Sequence, residues 1–128
     1  MKTYDFKNPY TGETIKVEFT KKNYEYGGGI AVEMLAEVED GYFEPWATIT
    51  VNLPETAECA ENCAFLDTNN CRGIRAFLEE NDLAQSTGRL AYSGFCSYPE
   101  FNFTNLLSVL NWLYRNLALS RRFEGRVS

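Results

Sequence analysis

Alternating apolar and polar residues predict a β-hairpin at the start of the chain. A first strand over 2–6 leads into Asn8, Pro9 and Gly12, which form turns because Pro fixes φ and Gly permits positive φ. A second strand is predicted over 14–20, where every other residue is apolar. One face of this hairpin is therefore expected to be buried.

A second hairpin is predicted over 30–39 and 46–52. The first of these segments contains Met34 and Leu35, which favour a helix, and it alternates only in part. The turn signal at 39–41 and the clean alternation of 46–52 favour a strand instead. The N-terminal half of the chain therefore predicts four strands.

The segment 55–71 is polar and rich in Asn and Cys, which predicts an ordered loop. Apolar residues then recur at helical spacing and predict a helix over 71–80. Asn69 or Asn70 is expected to cap this helix, because an Asn side chain accepts a hydrogen bond from the first turn.

The remaining periodic segments predict one more strand and a last helix. The strand is expected over 89–97, with Pro99 interrupting it. Leucines at helical spacing predict the helix over 104–120, capped by Thr104 or Asn105.

These elements predict an α+β fold: an antiparallel sheet of about five strands (two N-terminal hairpins plus one later strand) with two helices, the second C-terminal. We expect a single domain over 1–120, because no repeat or linker is visible. Residues 121–128 are predicted to form a basic, mobile tail.

The sequence contains no histidine, which changes the balance between function classes. The chain has 128 residues and no imidazole to act as a base near neutral pH. The common catalytic zinc sites also use His ligands. We therefore expect a protein that is not an enzyme and needs no cofactor; an enzyme that uses paired carboxylates, a lysine or a tyrosine for acid–base chemistry stays open as an alternative. No signal peptide or apolar run of membrane-spanning length is visible, so we expect a cytoplasmic protein without membrane contact.

The net charge of −6 is distributed unevenly. Residues 23–71 contain ten of the 18 acidic residues and no Lys or Arg, which leaves eight acids and all 12 basic residues for the rest. This acidic segment predicts either a solvated face or a surface for a protein partner, basic or nucleic-acid-binding. Direct nucleic-acid binding is disfavoured, because its usual footprint is basic. The expected partner-binding residues are Glu37, Glu39, Asp40, Glu55, Glu58 and Glu61.

The four cysteines leave three interpretations open. Cys59, Cys63, Cys71 and Cys96 do not form the two close pairs typical of a structural zinc site, so no metal site is predicted. Disulfides are disfavoured in a reducing cytosol. We expect buried free thiols. A small-ligand or metal-binding domain that uses the Cys- and Asn-rich loop remains the alternative function.

Five aromatic residues lie close together in the sequence: Tyr92, Phe95, Tyr98, Phe101 and Phe103. They could stack nucleic-acid bases on an exposed sheet, but Arg89 is the one cation of this segment. Packing in the core or over a sheet edge is therefore preferred.

Three stretches carry a family resemblance: 46–54, 63–70 and 87–99, with the Asn-Leu-Pro and Asp-Thr-Asn-Asn segments the most specific. They resemble a bacterial family of small proteins that contain a domain of unknown function, often encoded near conjugative or phage-like elements. The likeness covers about 12–103, and the leucine-rich helix beyond it does not match. The resemblance implies a mobile-element setting and supplies no catalytic residues.

The sequence as a whole predicts a non-enzymatic interaction or regulatory module. One specific form is an acidic decoy that occupies the nucleic-acid site of a basic protein, which requires carboxylates in rows along one face.

Overall fold

The computed structural model describes residues 2–24, 29–53 and 61–127, with 117–127 described as backbone. Eight strands and two helices lie within these residues. In chain order they are β1 (Tyr4–Lys7), β2 (Thr14–Asn23), β3 (Ile30–Glu39), β4 (Tyr42–Thr48), β5 (Thr50–Val51), β6 (Cys63–Leu66), α1 (Ile74–Glu80), β7 (Gln85–Ser93), β8 (Cys96–Asn102) and α2 (Thr104–Val127).

The strands form two four-stranded antiparallel sheets. The N-terminal sheet has the order β1-β2-β3-β4, so each strand pairs with its neighbour in sequence. The C-terminal sheet has the order β5-β6-β8-β7, which places β8 between β6 and β7. The α+β class and the C-terminal helix are confirmed, whereas the prediction of about five strands is wrong.

One apolar core joins the two sheets and both helices. Phe19 and Met34 of the N-terminal sheet belong to the same buried cluster as Leu66 of the C-terminal sheet. Leu78 of α1 and Leu106 of α2 also belong to it. On β3 the buried residues alternate with half-buried ones, as the period of two requires for a strand with one face on the core.

The strand predicted over 46–52 is divided between the sheets at Ile49. The amide of Ile49 donates to the carbonyl of Val32, and its carbonyl accepts from the amide of Asp67. Ile49 is fully buried. Because it lies between the end of β4 and the start of β5, the chain passes from one sheet into the other at this residue. Thr50 then pairs with Leu66 in the C-terminal sheet.

Two further strands were not expected from the sequence. β6 lies inside the predicted loop 55–71, and all four of its residues are buried, so no alternation marks it. In place of the predicted fifth strand the structure has a hairpin of two strands, β7 and β8, with its turn at Gly94 and Phe95. Pro99 lies within β8 rather than ending a strand.

The predicted helix caps are also wrong. α1 begins at Ile74 and its N-cap is Gly73, with φ of 81° and no side-chain hydrogen bond. The first amide of α2, that of Thr104, donates to Oδ1 of Asn102 at 2.8 Å. α2 extends to Val127, so the backbone of 121–127 is helical. The mobility predicted for 121–128 and the domain bounds 1–120 stay predictions.

Candidate functional site

The end of the β3–β4 hairpin separates from β2 of the N-terminal sheet. β2 pairs with β3 only as far as Val17 opposite Ala36, and its earlier residues pair with β1. Past that point β3 pairs with β4 alone, from Glu37 opposite Phe43 to Glu39 opposite Tyr42. Residues 37–44, the acidic arm, therefore form a two-stranded projection.

The backbone of the acidic arm is shaped by its turn and by a bulge. Gly41 has φ of 74°, a conformation that Gly adopts without steric cost. Its amide donates to Oε2 of Glu37 at 3.3 Å. The register shifts between Glu37 and Glu39, and the side chain of the intervening Val38 is more than half exposed. The arm thus presents apolar surface as well as charge.

The acidic arm carries four carboxylates, those of Glu37, Glu39, Asp40 and Glu44, and no cation. None of the ion pairs found in the described part of the chain involves these residues. Tyr42 adds an exposed ring beside them. Uncompensated like charges on a projecting surface attract a basic partner at long range, and apolar groups give it close contact.

The structure brings together three of the six predicted partner-binding residues. Glu37, Glu39 and Asp40 lie in the acidic arm, whereas Glu61 is in the turn before β6 of the other sheet. Glu55 and Glu58 lie outside the described residues. Whether any of the six binds a partner stays a prediction.

A second hairpin end, which the sequence analysis missed, extends from the C-terminal sheet. β6 pairs with β8 only from Cys63 opposite Asn102 to Phe65 opposite Glu100, so 96–99 have β7 as their one strand neighbour. Residues 90–99, the uncharged arm, contain no acidic or basic residue. The sequence feature that could have predicted this hairpin is Gly94, which lies between two runs of strand-forming residues.

The aromatic residues of this region differ in burial, and Tyr98 is half-buried between the two extremes. Phe101 and Phe103 are fully buried, as core packing predicts. Tyr92 is 69% exposed and Phe95 is fully exposed, so core packing is wrong for these two. Leu90 is also more than half exposed. The uncharged arm is therefore an apolar, aromatic surface without charge.

An ion pair between a buried carboxylate and a half-exposed guanidinium lies at the base of the uncharged arm. Glu100 is 2% exposed. The Thr87 hydroxyl donates to its Oε1 at 2.7 Å, and Nη1 of Arg89 donates to its Oε2 at 3.1 Å. Burial, and then the charge of Glu100, raise the pKa of the Cys63 thiol, which disfavours a reactive thiolate there.

The Asn-rich loop uses its side chains to hold the fold together. Asn70 donates from its backbone amide and its Nδ2 to the carboxylate of Asp67, at distances of 3.1 to 3.3 Å. Nδ2 of Asn69 donates to the carbonyl of Ser97 at 3.3 Å, which joins the loop to β8. These contacts close the connection from β6 to α1.

Three of the cysteines are free thiols, namely Cys63, Cys71 and Cys96, while Cys59 lies outside the described residues. Cys71 donates to the carbonyl of Thr48 at 3.6 Å. Burial, with a smaller contribution from Asp67, raises its pKa to about 11. Within 2–24, 29–53 and 61–127, no group of three or more Cys, Asp or Glu residues is placed to hold a metal ion.

An open groove of about 470 Å³ separates α1 from the uncharged arm. Leu90 and Pro99 line one side, and Arg75 and Glu79 line the other. Nε of Arg75 lies 3.2 Å from Oε1 of Glu79. The guanidinium carbon of Arg75 lies 5.4 Å from the centre of the Phe101 ring. Glu79 supplies the one carboxylate among the lining residues, and it is already paired with Arg75.

Comparison with known proteins gives one match. The family model described as Domain of unknown function (DUF4313) matches residues 18–116. The match continues to residue 116 of α2, so the expectation that the family likeness ends near 103 is wrong. No curated protein and no solved structure matches the chain. In the described residues, no helix combines the length and the apolar character that crossing a membrane requires.

Proposed function

The chain belongs to the family described as Domain of unknown function (DUF4313), and we propose that it is a non-enzymatic interaction module that binds a protein with a basic surface. The acidic arm is the binding surface. This proposal is supported by one observation above all: four carboxylates without a cation occupy a hairpin end that projects from its sheet.

Charge and shape act together in this arrangement. Like charges that project into solvent steer an oppositely charged partner and raise the association rate. Charge alone gives little affinity, because exposed ion pairs contribute about 0–1 kcal/mol each. Val38 and Tyr42 supply the apolar contact that affinity requires, and both are more than half exposed.

In its more specific form, the proposal is that the chain is a module of a bacterial mobile element and acts as an acidic decoy of a nucleic-acid-binding protein of the host. Glu33 and Glu37 lie on the face of β3 turned away from the core, with Leu35 between them, and the register shift before Glu39 ends this alternation. Lys22 lies 3.9 Å from Glu33, so the arm end of this row carries the uncompensated charge. A row of carboxylates resembles the row of phosphates along a nucleic-acid backbone. It can therefore bind to the basic surface that a nucleic-acid-binding protein uses for those phosphates.

The groove beside α1 supports a function without catalysis. Its single carboxylate is held in an ion pair with Arg75. The sequence has no histidine to act as a base near neutral pH. Binding to a partner is therefore the function that these residues support best.

The experiment captures a partner from the natural host and compares two charge-matched variants. The arm variant is Glu39→Gln, Asp40→Asn and Glu44→Gln, which leaves the Glu37 contact to Gly41 in place. The control is Asp5→Asn, Glu13→Gln and Glu80→Gln, three exposed acids elsewhere.

We expect the arm variant to bind the identified partner roughly tenfold more weakly or worse, and the control to bind it as the wild type does. Binding should also weaken as salt rises. Equal binding by both variants would contradict the proposal. Glu55→Gln, Glu58→Gln and Glu61→Gln together test the other predicted residues. Displacement of the partner by duplex DNA tests the decoy.

A further inference from the structure

β7 is an edge strand of the C-terminal sheet, and its second half is regular. β7 is the last strand in the order of this sheet. Among the described strands it pairs with β8 on one side and with no strand on the other. The register shift of this hairpin lies between Ser86 and Leu90, and 90–93 then pair continuously with 96–99. Leu90 and Tyr92 are exposed. Among the residues that the structure describes, no strand covers this half of β7, which therefore presents an open strand edge.

The register shows which backbone groups face outward. Gly94 and Phe95 form a two-residue turn, and Gly94, with φ of 61°, occupies its first position. A two-residue turn closes on a hydrogen-bonded pair, here Ser93 opposite Cys96. The alternation of an antiparallel ladder then directs the N–H and C=O groups of Leu90 and Tyr92 away from β8. Pro99 opposite Leu90 agrees with this, because Pro has no N–H to donate.

The edge strand β4 of the N-terminal sheet is protected against strand pairing. It contains Pro45, which lacks a donor, and Glu44, which places a charge on the edge. Its pairing with β3 also has two register shifts. Residues 90–93 contain no proline, no charge and no bulge. The contrast within one molecule indicates that the β7 edge is kept open for a strand.

We propose that the strand is β7 of a second copy of this chain, paired antiparallel across a two-fold axis at Ala91. Leu90 then lies opposite Tyr92 of the second copy, and the outward groups of these residues form four backbone hydrogen bonds. The two equivalent pairs place an aliphatic side chain against an aromatic ring, a favourable cross-strand contact. The interface is isologous, which is the commonest form of dimer.

The charge pattern favours self-pairing at this edge. Arg89, the nearest cation, contacts Glu100 of its own chain and would lie opposite Ser93 of the second copy. No two like charges meet in this register. The acidic arm is the opposite case, since pairing it with its own copy would bring carboxylates together.

The test measures the oligomeric state of the full chain by sedimentation equilibrium over a range of concentrations. The variant is Tyr92→Lys, which places a charge on the edge. The matched control is Tyr10→Lys, because Tyr10 is 73% exposed in the turn of the first hairpin. We expect a concentration-dependent dimer for the wild type and the control, and a dissociation constant raised roughly tenfold or more for Tyr92→Lys.

Amide hydrogen exchange locates the interface. In a monomer the amides of Ala91 and Ser93 are protected by β8, while those of Leu90 and Tyr92 exchange freely. In the dimer all four should be protected, and Tyr92→Lys should return Leu90 to fast exchange.

A wild type that stays monomeric, or a dimer that Tyr92→Lys leaves unchanged, overturns the proposal. So does a monomer whose β7 edge becomes protected only when an unrelated partner's strand is added. The test does not use the acidic arm, so its result is independent of the proposed function.

Discussion

The buried carboxylate of Glu100 predicts that its two partners in the ion pair respond very differently to substitution. Arg89→Met removes the guanidinium and keeps most of the side-chain volume. Glu100 would then remain 2% exposed, with the Thr87 hydroxyl still donating to its Oε1. A buried charge left without its counter-ion is costly.

The magnitude follows from the exposure of the two side chains. Removing one partner of a fully buried pair costs about 3–5 kcal/mol. Here Arg89 is 54% exposed, so water already screens part of the interaction and we expect a loss of about 2 kcal/mol. Glu100→Gln should cost about 1 kcal/mol or less, because Arg89 turns to solvent and Thr87 still donates to the amide oxygen.

The assay is urea unfolding at pH 7 of the wild type, the two single variants and the double variant. If the loss in Arg89→Met comes from the stranded carboxylate, adding Glu100→Gln should recover about 1 kcal/mol of it. The denaturant slope should stay constant across the four proteins. The reasoning is refuted if Glu100→Gln destabilises more than Arg89→Met, or if the two losses simply add.

Two further predictions concern the thiol of Cys71, which is half-buried, and the ring of Phe77, which is buried. At pH 8 the Cys71 thiol should react with iodoacetamide more than tenfold more slowly than a thiol in the urea-unfolded chain, because its raised pKa of about 11 keeps it protonated. Mass spectrometry of the labelled peptide measures the two rates. Equal rates would contradict the prediction. Phe77→Ala should lower the free energy of unfolding by about 3–5 kcal/mol, because its ring packs edge to face on Phe6 at 5.1 Å. A loss below about 1 kcal/mol on urea unfolding would show that the surrounding side chains refill the space.

Periodicity predicted the elements that have one face on the core. The strand over 14–20 was found because Val17 and Phe19 alternate with polar residues, and the turn at Gly41 correctly decided between strand and helix for 30–39. β6 was missed because all of its residues are buried, which leaves no alternation to detect. The chain's passage between sheets at Ile49 depends on hydrogen bonds to Val32 and Asp67, which are distant in sequence.

The candidate site was predictable in its charge but not in its shape. The cation-free segment pointed to Glu37, Glu39 and Asp40, yet only the end of the β2–β3 pairing shows that they project. Glu100 could not be identified as buried, since a Glu after Pro99 is usually solvated. Its environment is created by Arg89, which reaches it only through the β7–β8 hairpin.

The order of strands also has a consequence for how the chain folds as it is synthesised. In the N-terminal sheet only consecutive strands pair, so these contacts form once residue 48 has left the ribosome. In the C-terminal sheet β6 has β5 available on one side, but its other side must wait for β8, which ends at Asn102. Pairings so far apart in sequence form slowly. A nascent chain therefore completes the acidic arm well before it closes its core. During that interval the apolar strand β6 is the segment most in need of protection from aggregation.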